Sequence, residues 1–156
     1  MSITTNVYPF FLKYGLINSD VFYATGDKAY AICKIKLIRT LTPNLFPFNA
    51  EDTAMDGGQL IYVGDDSEVP INASEKNALF YVEPQGGYLK FSLGEIFFND
   101  LANGLIFNKA IVWYEFSSAT KFLVMHFDFG ENITVDGPFK LKMSTNGEVK
   151  INFNPS

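Results

Sequence analysis

Three carboxylates close to a histidine are the residues of this chain whose types and spacing could support chemistry. Asp128, Glu131 and Asp136 lie within nine residues, and His126 lies two positions before the first of them. Clustered carboxylates can bind calcium, but calcium needs about six to eight oxygen ligands, and these acids lack the spacing of a known calcium loop. We therefore treat the three acids as a weak candidate metal site and favour a solvated loop.

The sequence has one histidine, His126, and one cysteine, Cys33. An intrachain disulfide and a thiolate metal cluster are therefore excluded, as is most zinc chemistry, which uses several histidine or cysteine ligands. His126 alternates with apolar residues, so we expect it to be a polar side chain on the outer face of a strand. A role as a base or a metal ligand is the less favoured interpretation.

Serine and glycine pairs offer no clearer chemistry. Ser117 and Ser118 lack the glycines of a nucleophile elbow, and Gly57-Gly58 and Gly86-Gly87 match no phosphate-binding loop. The sequence therefore predicts a protein that is not an enzyme, with no catalytic residue and no cofactor.

A second group of acids lies between residues 51 and 75, a segment with seven acidic residues and no basic one. Such a segment could bind cations or steer a basic partner. We favour a solubilising surface instead. The acids considered for this role are Glu51, Asp52, Asp56, Asp65, Asp66 and Glu68.

Two long strands, residues 105–116 and 120–129, are predicted around a turn at residues 117–119. In the second strand Leu123, Met125, Phe127 and Phe129 fall on one face, opposite His126 and Asp128. We expect the rest of the protein to pack against this hairpin.

Other strands follow the same alternation. In residues 29–39, one face carries Ala31, Cys33, Ile35 and Leu37, and the other carries Ile38 with Lys34 and Lys36, which we expect to be in water. Strands are also predicted at 59–63, 79–83 and 88–93, at 95–98 after a kink at Gly94, and in a final hairpin of 139–143 and 149–153. The spacing of apolar residues favours a short helix over residues 10–18.

These elements predict an all-β fold, a single antiparallel β-sandwich of the jelly-roll or immunoglobulin-like type, with at most one short N-terminal helix. We expect one domain over residues 1–156. Residues 1–28 form a lead-in segment that could serve as an attachment arm, and residues 41–74 form a long, irregular, acidic loop region.

The composition constrains the partners. A net charge of −5 argues against nucleic acid and against an anionic membrane surface. The N-terminal residues show no secretory signal, and no apolar run is long enough for a membrane helix, so we expect synthesis in a cytoplasm. Aromatic residues in the irregular first third predict a subunit interface if they are exposed. They are Phe10, Phe11, Tyr14, Phe22, Tyr23, Phe46 and Phe48.

The second half of the chain contains four motifs in a recognisable order. They are Glu95-Ile96-Phe97-Phe98-Asn99-Asp100, the strand Ala110-Ile111-Val112-Trp113-Tyr114, a strand that ends in Asp128-Phe129-Gly130, and Gly137-Pro138-Phe139-Lys140-Leu141-Lys142-Met143 before Asn146-Gly147. In this order they resemble a family of small structural proteins of tailed bacteriophages. Asp-Phe-Gly also occurs in kinases, but the glycine-rich and catalytic loops of kinases are missing.

The resemblance implies a non-enzymatic virion protein made in the bacterial host. We expect a capsid decoration or auxiliary head protein that forms a homo-oligomer, with a trimer favoured, and that binds the major capsid protein or other virion proteins. The alternative is a tail- or head-fibre adhesin for a host receptor or carbohydrate, which would need an exposed aromatic platform near acids and amides. A small hydrolase is a third possibility, against which the lone His126 weighs.

Overall fold

The computed structural model describes residues 4–8, 11, 15, 20–39, 76–85, 88–99, 101–115, 121–141 and 149–152. The elements formed by these residues are all β-strands, which confirms the predicted all-β class. The strands are β1 (Thr4–Val7), β2 (Tyr23–Thr25), β3 (Lys28–Ile38), β4 (Lys76–Gln85), β5 (Tyr88–Leu93), β6 (Ile96–Phe98), β7 (Ile106–Glu115), β8 (Lys121–Thr134), β9 (Phe139–Leu141) and β10 (Val149–Asn152).

Eight of these strands form one antiparallel sheet. Its order is β1-β8-β7-β3-β4-β5-β10, and β2 pairs with the beginning of β3. The sheet is curled, because its edge strands β1 and β10 approach each other. The remaining strands, β6 and β9, form a separate two-stranded sheet.

The inner face of the curled sheet carries the main hydrophobic core. The four residues of β3 predicted to share one face, from Ala31 to Leu37, are all buried there, as their alternation requires. Phe107 packs edge-on against Phe129 and Phe139, with ring centroids 5.4 Å and 5.1 Å apart. The two-stranded sheet contributes further buried residues to the same core and therefore lies over this inner face.

A second, smaller core lies on the outer face of the sheet. It contains Tyr8, Ile38, Ile111, Trp113 and Leu123, and the side chains of Lys36, Lys109 and His126 are also buried. The prediction that Lys36 lies in water is wrong, since only 3% of this residue is exposed. Alternation places it on the expected face, but that face is also buried near the centre of the sheet.

The register of the β7–β8 hairpin moves Leu123 to an unexpected face. Val112 lies opposite Met125 whereas Trp113 lies opposite Leu123, so β8 contains one extra residue, Val124, at this point. An inserted residue reverses the face on which every residue beyond it lies. Leu123 consequently packs with Trp113 in the outer core and not with Met125, as the simple alternation had predicted.

The predicted hairpins have different outcomes. The long hairpin is confirmed as β7 and β8, although β8 continues to Thr134. The strands predicted at 79–83 and 88–93 are confirmed as β4 and β5, which pair with each other. The final hairpin is wrong. Its two strands belong to different sheets: β9 pairs with β6 in the two-stranded sheet, and β10 pairs with β5 at the edge of the large sheet.

Several predictions fall outside the described residues. These are the loop at 41–74, the strand at 59–63, the turns at 117–119 and 146–147, and most of the helix at 10–18.

Candidate functional site

Three tyrosines form a row across the outer face of strands β2, β3 and β4. Tyr23 lies opposite Tyr30, and Tyr30 lies opposite Tyr81, so the register places all three side by side. Their neighbours Ala31 and Phe80 are buried in the inner core, which directs the tyrosines to the other face. The rings of Tyr23 and Tyr30 stack with their centroids 5.5 Å apart. The rings of Tyr30 and Tyr81 are tilted relative to each other, with their centroids 6.1 Å apart.

An aliphatic pair extends this row along the strands. Ile32 lies opposite Leu79 on the same outer face, and their exposed fractions are 52% and 37%, beside 50% for Tyr23. Among the described residues these are three of the four exposed large hydrophobic side chains. Single exposed apolar residues are ordinary, whereas a contiguous group is a candidate binding surface. We call Tyr23, Tyr30, Tyr81, Ile32, Leu79 and the adjoining Lys28 the tyrosine surface.

Lysine contributes a polar contact to this surface. The Lys28 ammonium lies 4.8 Å from the centroid of the Tyr81 ring, a distance at which a cation is attracted to the face of an aromatic ring. Because the rest of Lys28 is exposed, this contact fixes a charged group beside the tyrosines while leaving it accessible to a ligand.

Ion pairs flank the tyrosine surface on two sides. The Lys34 ammonium is 3.0 Å from the Glu115 carboxylate, and the Lys90 ammonium is 3.3 Å from the Glu83 carboxylate. Partly exposed pairs of this kind add little stability, about 1 kcal/mol or less. Their effect on the surface is electrostatic, since each lysine charge at the flank is balanced by a glutamate.

Gly94 leaves one side of the tyrosine surface uncovered. Its backbone N–H donates a hydrogen bond to the carbonyl oxygen of Leu79 at 2.9 Å, which places it beside the aliphatic pair. A Cβ at this position would lie 3.5 Å from the ring of Tyr81, in ordinary van der Waals contact. A side chain here would therefore cover atoms of Tyr81 and Leu79 that glycine leaves open.

The fourth exposed apolar residue, Phe97, lies on the two-stranded sheet. It alternates with the buried Ile96 and Phe98 in β6, so it points away from the inner core. Its exposed fraction is 54%, and the Lys140 ammonium of β9 lies 5.9 Å from its ring centroid. Phe97 and the tyrosine surface are thus two exposed apolar sites on different sheets, and both point away from the inner core.

The candidate metal ligands are not brought together. The Asp128 carboxylate accepts hydrogen bonds from the Lys109 ammonium and the Gly130 N–H, both at 2.9 Å, while Glu131 and Asp136 are exposed. Burial alone would raise the pKa of Asp128, but these hydrogen bonds outweigh it, and its pKa lies below the usual value. Within the part of the chain that the structure describes, no three acidic, histidine or cysteine side chains form a metal site.

His126 lies on the predicted outer face of its strand but is buried, with 2% of the residue exposed. Burial, with a smaller contribution from the charge of Lys109, lowers its pKa to about 4 against the opposing effect of Asp128. His126 is therefore neutral at pH 7. Burial also raises the pKa of Cys33 to about 12, so this residue is a protonated thiol and a poor nucleophile.

The aromatic residues predicted for an interface have different positions. Phe11 is buried in the inner core and contributes no exposed surface. Its ring centroid lies 5.6 Å from that of Phe22 and 5.8 Å from that of Phe80. Phe22 is half-buried, and Tyr23 belongs to the tyrosine surface. The others, Phe10, Tyr14, Phe46 and Phe48, lie outside the described residues.

Most of the tyrosine surface was missed by sequence reasoning. The alternation of Lys28, Tyr30, Ile32 and Lys34 already placed these residues on one face of β3, and that signal could have been used. The partners Leu79 and Tyr81 could not be identified, because the alternation within a strand does not reveal which strand lies beside it.

Comparisons with known proteins give no match. No family model, no curated protein and no solved structure matches the chain. As for membranes, none of the residues described in the structure belongs to a helix with the length and apolar character needed to span one.

Proposed function

We propose that this chain is a non-enzymatic structural protein of a bacteriophage particle, a capsid decoration or auxiliary head protein that assembles as a homo-oligomer. The observation that carries the proposal is the pair of exposed apolar sites on two different sheets that pack on one core. They are the tyrosine surface on the outer face of the sheet and Phe97 on the two-stranded sheet.

A body with two exposed contact sites on different sheets suits a protein that is held on a particle through one site and presents the other. Both faces of the sheet bury large side chains, among them Trp113 outside and Phe107 inside, so the two sites are held at a fixed separation. In this arrangement the Phe97 side contacts the major capsid protein or a neighbouring copy. The tyrosine surface then faces outward.

Weak contacts are sufficient for such a role. The Phe97 site consists of one aromatic side chain beside one lysine. Its contact area is therefore far smaller than the ~800 Å² that each partner buries in a stable protein pair. An oligomer that engages several identical positions at once converts modest contacts into strong attachment.

The test compares the incorporation of two variants into particles. Phe97→Ser and Tyr23→Ser each replace an exposed aromatic residue by serine, but on different sheets. We expect Phe97→Ser to reduce the amount of protein in purified particles and Tyr23→Ser to leave it unchanged. Equal incorporation of Phe97→Ser and the unmodified chain would contradict the proposed attachment.

The tyrosine surface also favours a second candidate, a tail- or head-fibre adhesin that binds a host receptor or carbohydrate. Its aromatic row lies beside the exposed amide of Asn77 and the hydroxyl of Ser92, which face the same side of the sheet. A number of copies per particle far below that of the major capsid protein would favour the adhesin.

A further inference from the structure

The size of the tyrosine surface limits what can occupy it. Its side chains span three neighbouring strands and the stretch of β3 from Lys28 to Ile32. With strands about 4.8 Å apart and a rise of about 3.4 Å per residue, the footprint is roughly 10 Å by 14 Å. This area is several times smaller than the ~800 Å² that each protein buries in a stable pair. A small ligand fits the surface better than a protein does.

The charge of the surroundings favours an uncharged ligand. Lys34 is paired with Glu115, and Lys90 is paired with Glu83, so each flank carries both signs. The Lys28 ammonium is held against the ring of Tyr81 and can donate hydrogen bonds. The two flanks therefore carry no net charge, and the one charged side chain within the tyrosine surface, Lys28, can donate hydrogen bonds to a neutral ligand.

The chemistry of the side chains specifies the ligand further. Tyrosine rings, Ile32 and Leu79 supply apolar contact, while the tyrosine hydroxyls and flanking ion pairs supply hydrogen bonds. A matching ligand has an apolar C–H face bordered by hydroxyl groups. Sugar rings have both features, and rings joined in a chain would follow tyrosines spaced 5.5 Å and 6.1 Å apart.

We infer that the tyrosine surface binds a short neutral saccharide. One ring of the saccharide packs on the exposed side of Tyr23, the next lies over Tyr30, and a third lies over Tyr81 and Leu79, where Gly94 leaves room. The inference depends only on this surface and holds whether or not the chain belongs to a particle. Binding to an open face is expected to be weak, with a Kd of about 1 mM or somewhat lower.

Titration of the purified full chain tests the inference, with maltotriose, cellotriose and chitotriose as probes and chemical-shift changes in NMR spectra as the readout. We expect at least one of the three to bind and Tyr23→Ala to weaken it by about tenfold, which corresponds to ~1.4 kcal/mol. Phe97→Ala is the matched control, because it removes a similarly exposed aromatic side chain that lies on the other sheet, outside the tyrosine surface. Its affinity should equal that of the unmodified chain.

Three outcomes would overturn the inference. One is the absence of shifts with all three saccharides at about 10 mM, a concentration that would saturate a millimolar site. Another is an equal loss of affinity in Tyr23→Ala and Phe97→Ala. The third is self-association that Tyr23→Ala abolishes, because a second copy would then be the occupant. Since Tyr23 lies at the exposed edge of the sheet, its replacement should not prevent folding.

None of these results bears on the particle role. A chain that binds no saccharide can still be abundant in particles, and one that is absent from particles can still bind a saccharide.

Discussion

Acidification should destabilise this fold through one residue, His126. The imidazole is buried on the outer face of β8, between Ile111 of β7 and Asn6 of β1 in the register. Protonating it places a positive charge in a buried site away from water, which is the larger cost, and close to the ammonium of Lys109. The Asp128 carboxylate, which already pairs with that ammonium, offsets this only in part. The folded state therefore resists protonation more than the unfolded chain does.

The expected magnitude follows from the two pKa values. The pKa of His126 is about 4 in the folded state and near its ordinary value of 6.5 in the unfolded chain. Between these values the unfolded chain binds more protons, so the free energy of unfolding falls as the pH falls. The full effect is present above pH 6.5 and lost by about pH 4, and at ~1.36 kcal/mol per pKa unit it amounts to about 3 kcal/mol.

Urea unfolding at about pH 7 and about pH 4.5, followed by circular dichroism, would measure this loss. The informative comparison is with His126→Gln, which keeps a polar side chain but cannot titrate. The variant is expected to be less stable at neutral pH and to lose much less stability on acidification. The pKa of Asp128 is lowered, so its contribution is lost only below this range and does not obscure the comparison.

One result would refute this reasoning. If His126→Gln lost as much stability between the two pH values as the unmodified chain, the acid sensitivity would come from other groups.

Other predictions concern stability at neutral pH, measured as the free energy of unfolding in urea. Asp128→Asn should lower the free energy of unfolding by about 2 kcal/mol, because the buried Lys109 ammonium would then have a neutral partner, although the Asp128 side chain is 39% exposed. The control Asp136→Asn changes an exposed residue and should cost under ~0.5 kcal/mol. Phe107→Ala should cost about 4 kcal/mol by opening a cavity in the inner core, and the exposed Phe97→Ala close to nothing. Gly104→Ala should cost about 1 kcal/mol, since its φ of 89° disfavours any side chain even though space is open. Equal losses in Asp128→Asn and Asp136→Asn, or in Phe107→Ala and Phe97→Ala, would contradict these assignments. So would an unchanged stability of Gly104→Ala.

The sequence predicted the strands better than their partners. Alternation in β3 identified both faces correctly, because every second residue from Ala31 to Leu37 is apolar. It did not reveal that Lys36 is buried, since burial depends on what covers the face and not on the strand itself. The extra residue Val124 in β8 was equally invisible, and it moved Leu123 to the opposite side of the sheet.

Pairing between distant strands explains the remaining differences. Lys140 and Lys150 alternate with apolar residues in the same way, so the last two strands looked like one hairpin, although they belong to different sheets. The tyrosine surface has the same origin. Tyr81 joins Tyr23 and Tyr30 only because β4 follows β3 in the sheet, after a long intervening segment of the chain.

The measurement that tests the central proposal most directly is the number of copies of this chain in purified bacteriophage particles, by quantitative mass spectrometry against the major capsid protein. A decoration protein should be present at a fixed ratio to the capsid protein and in comparable abundance. Complete absence from intact particles would contradict the account.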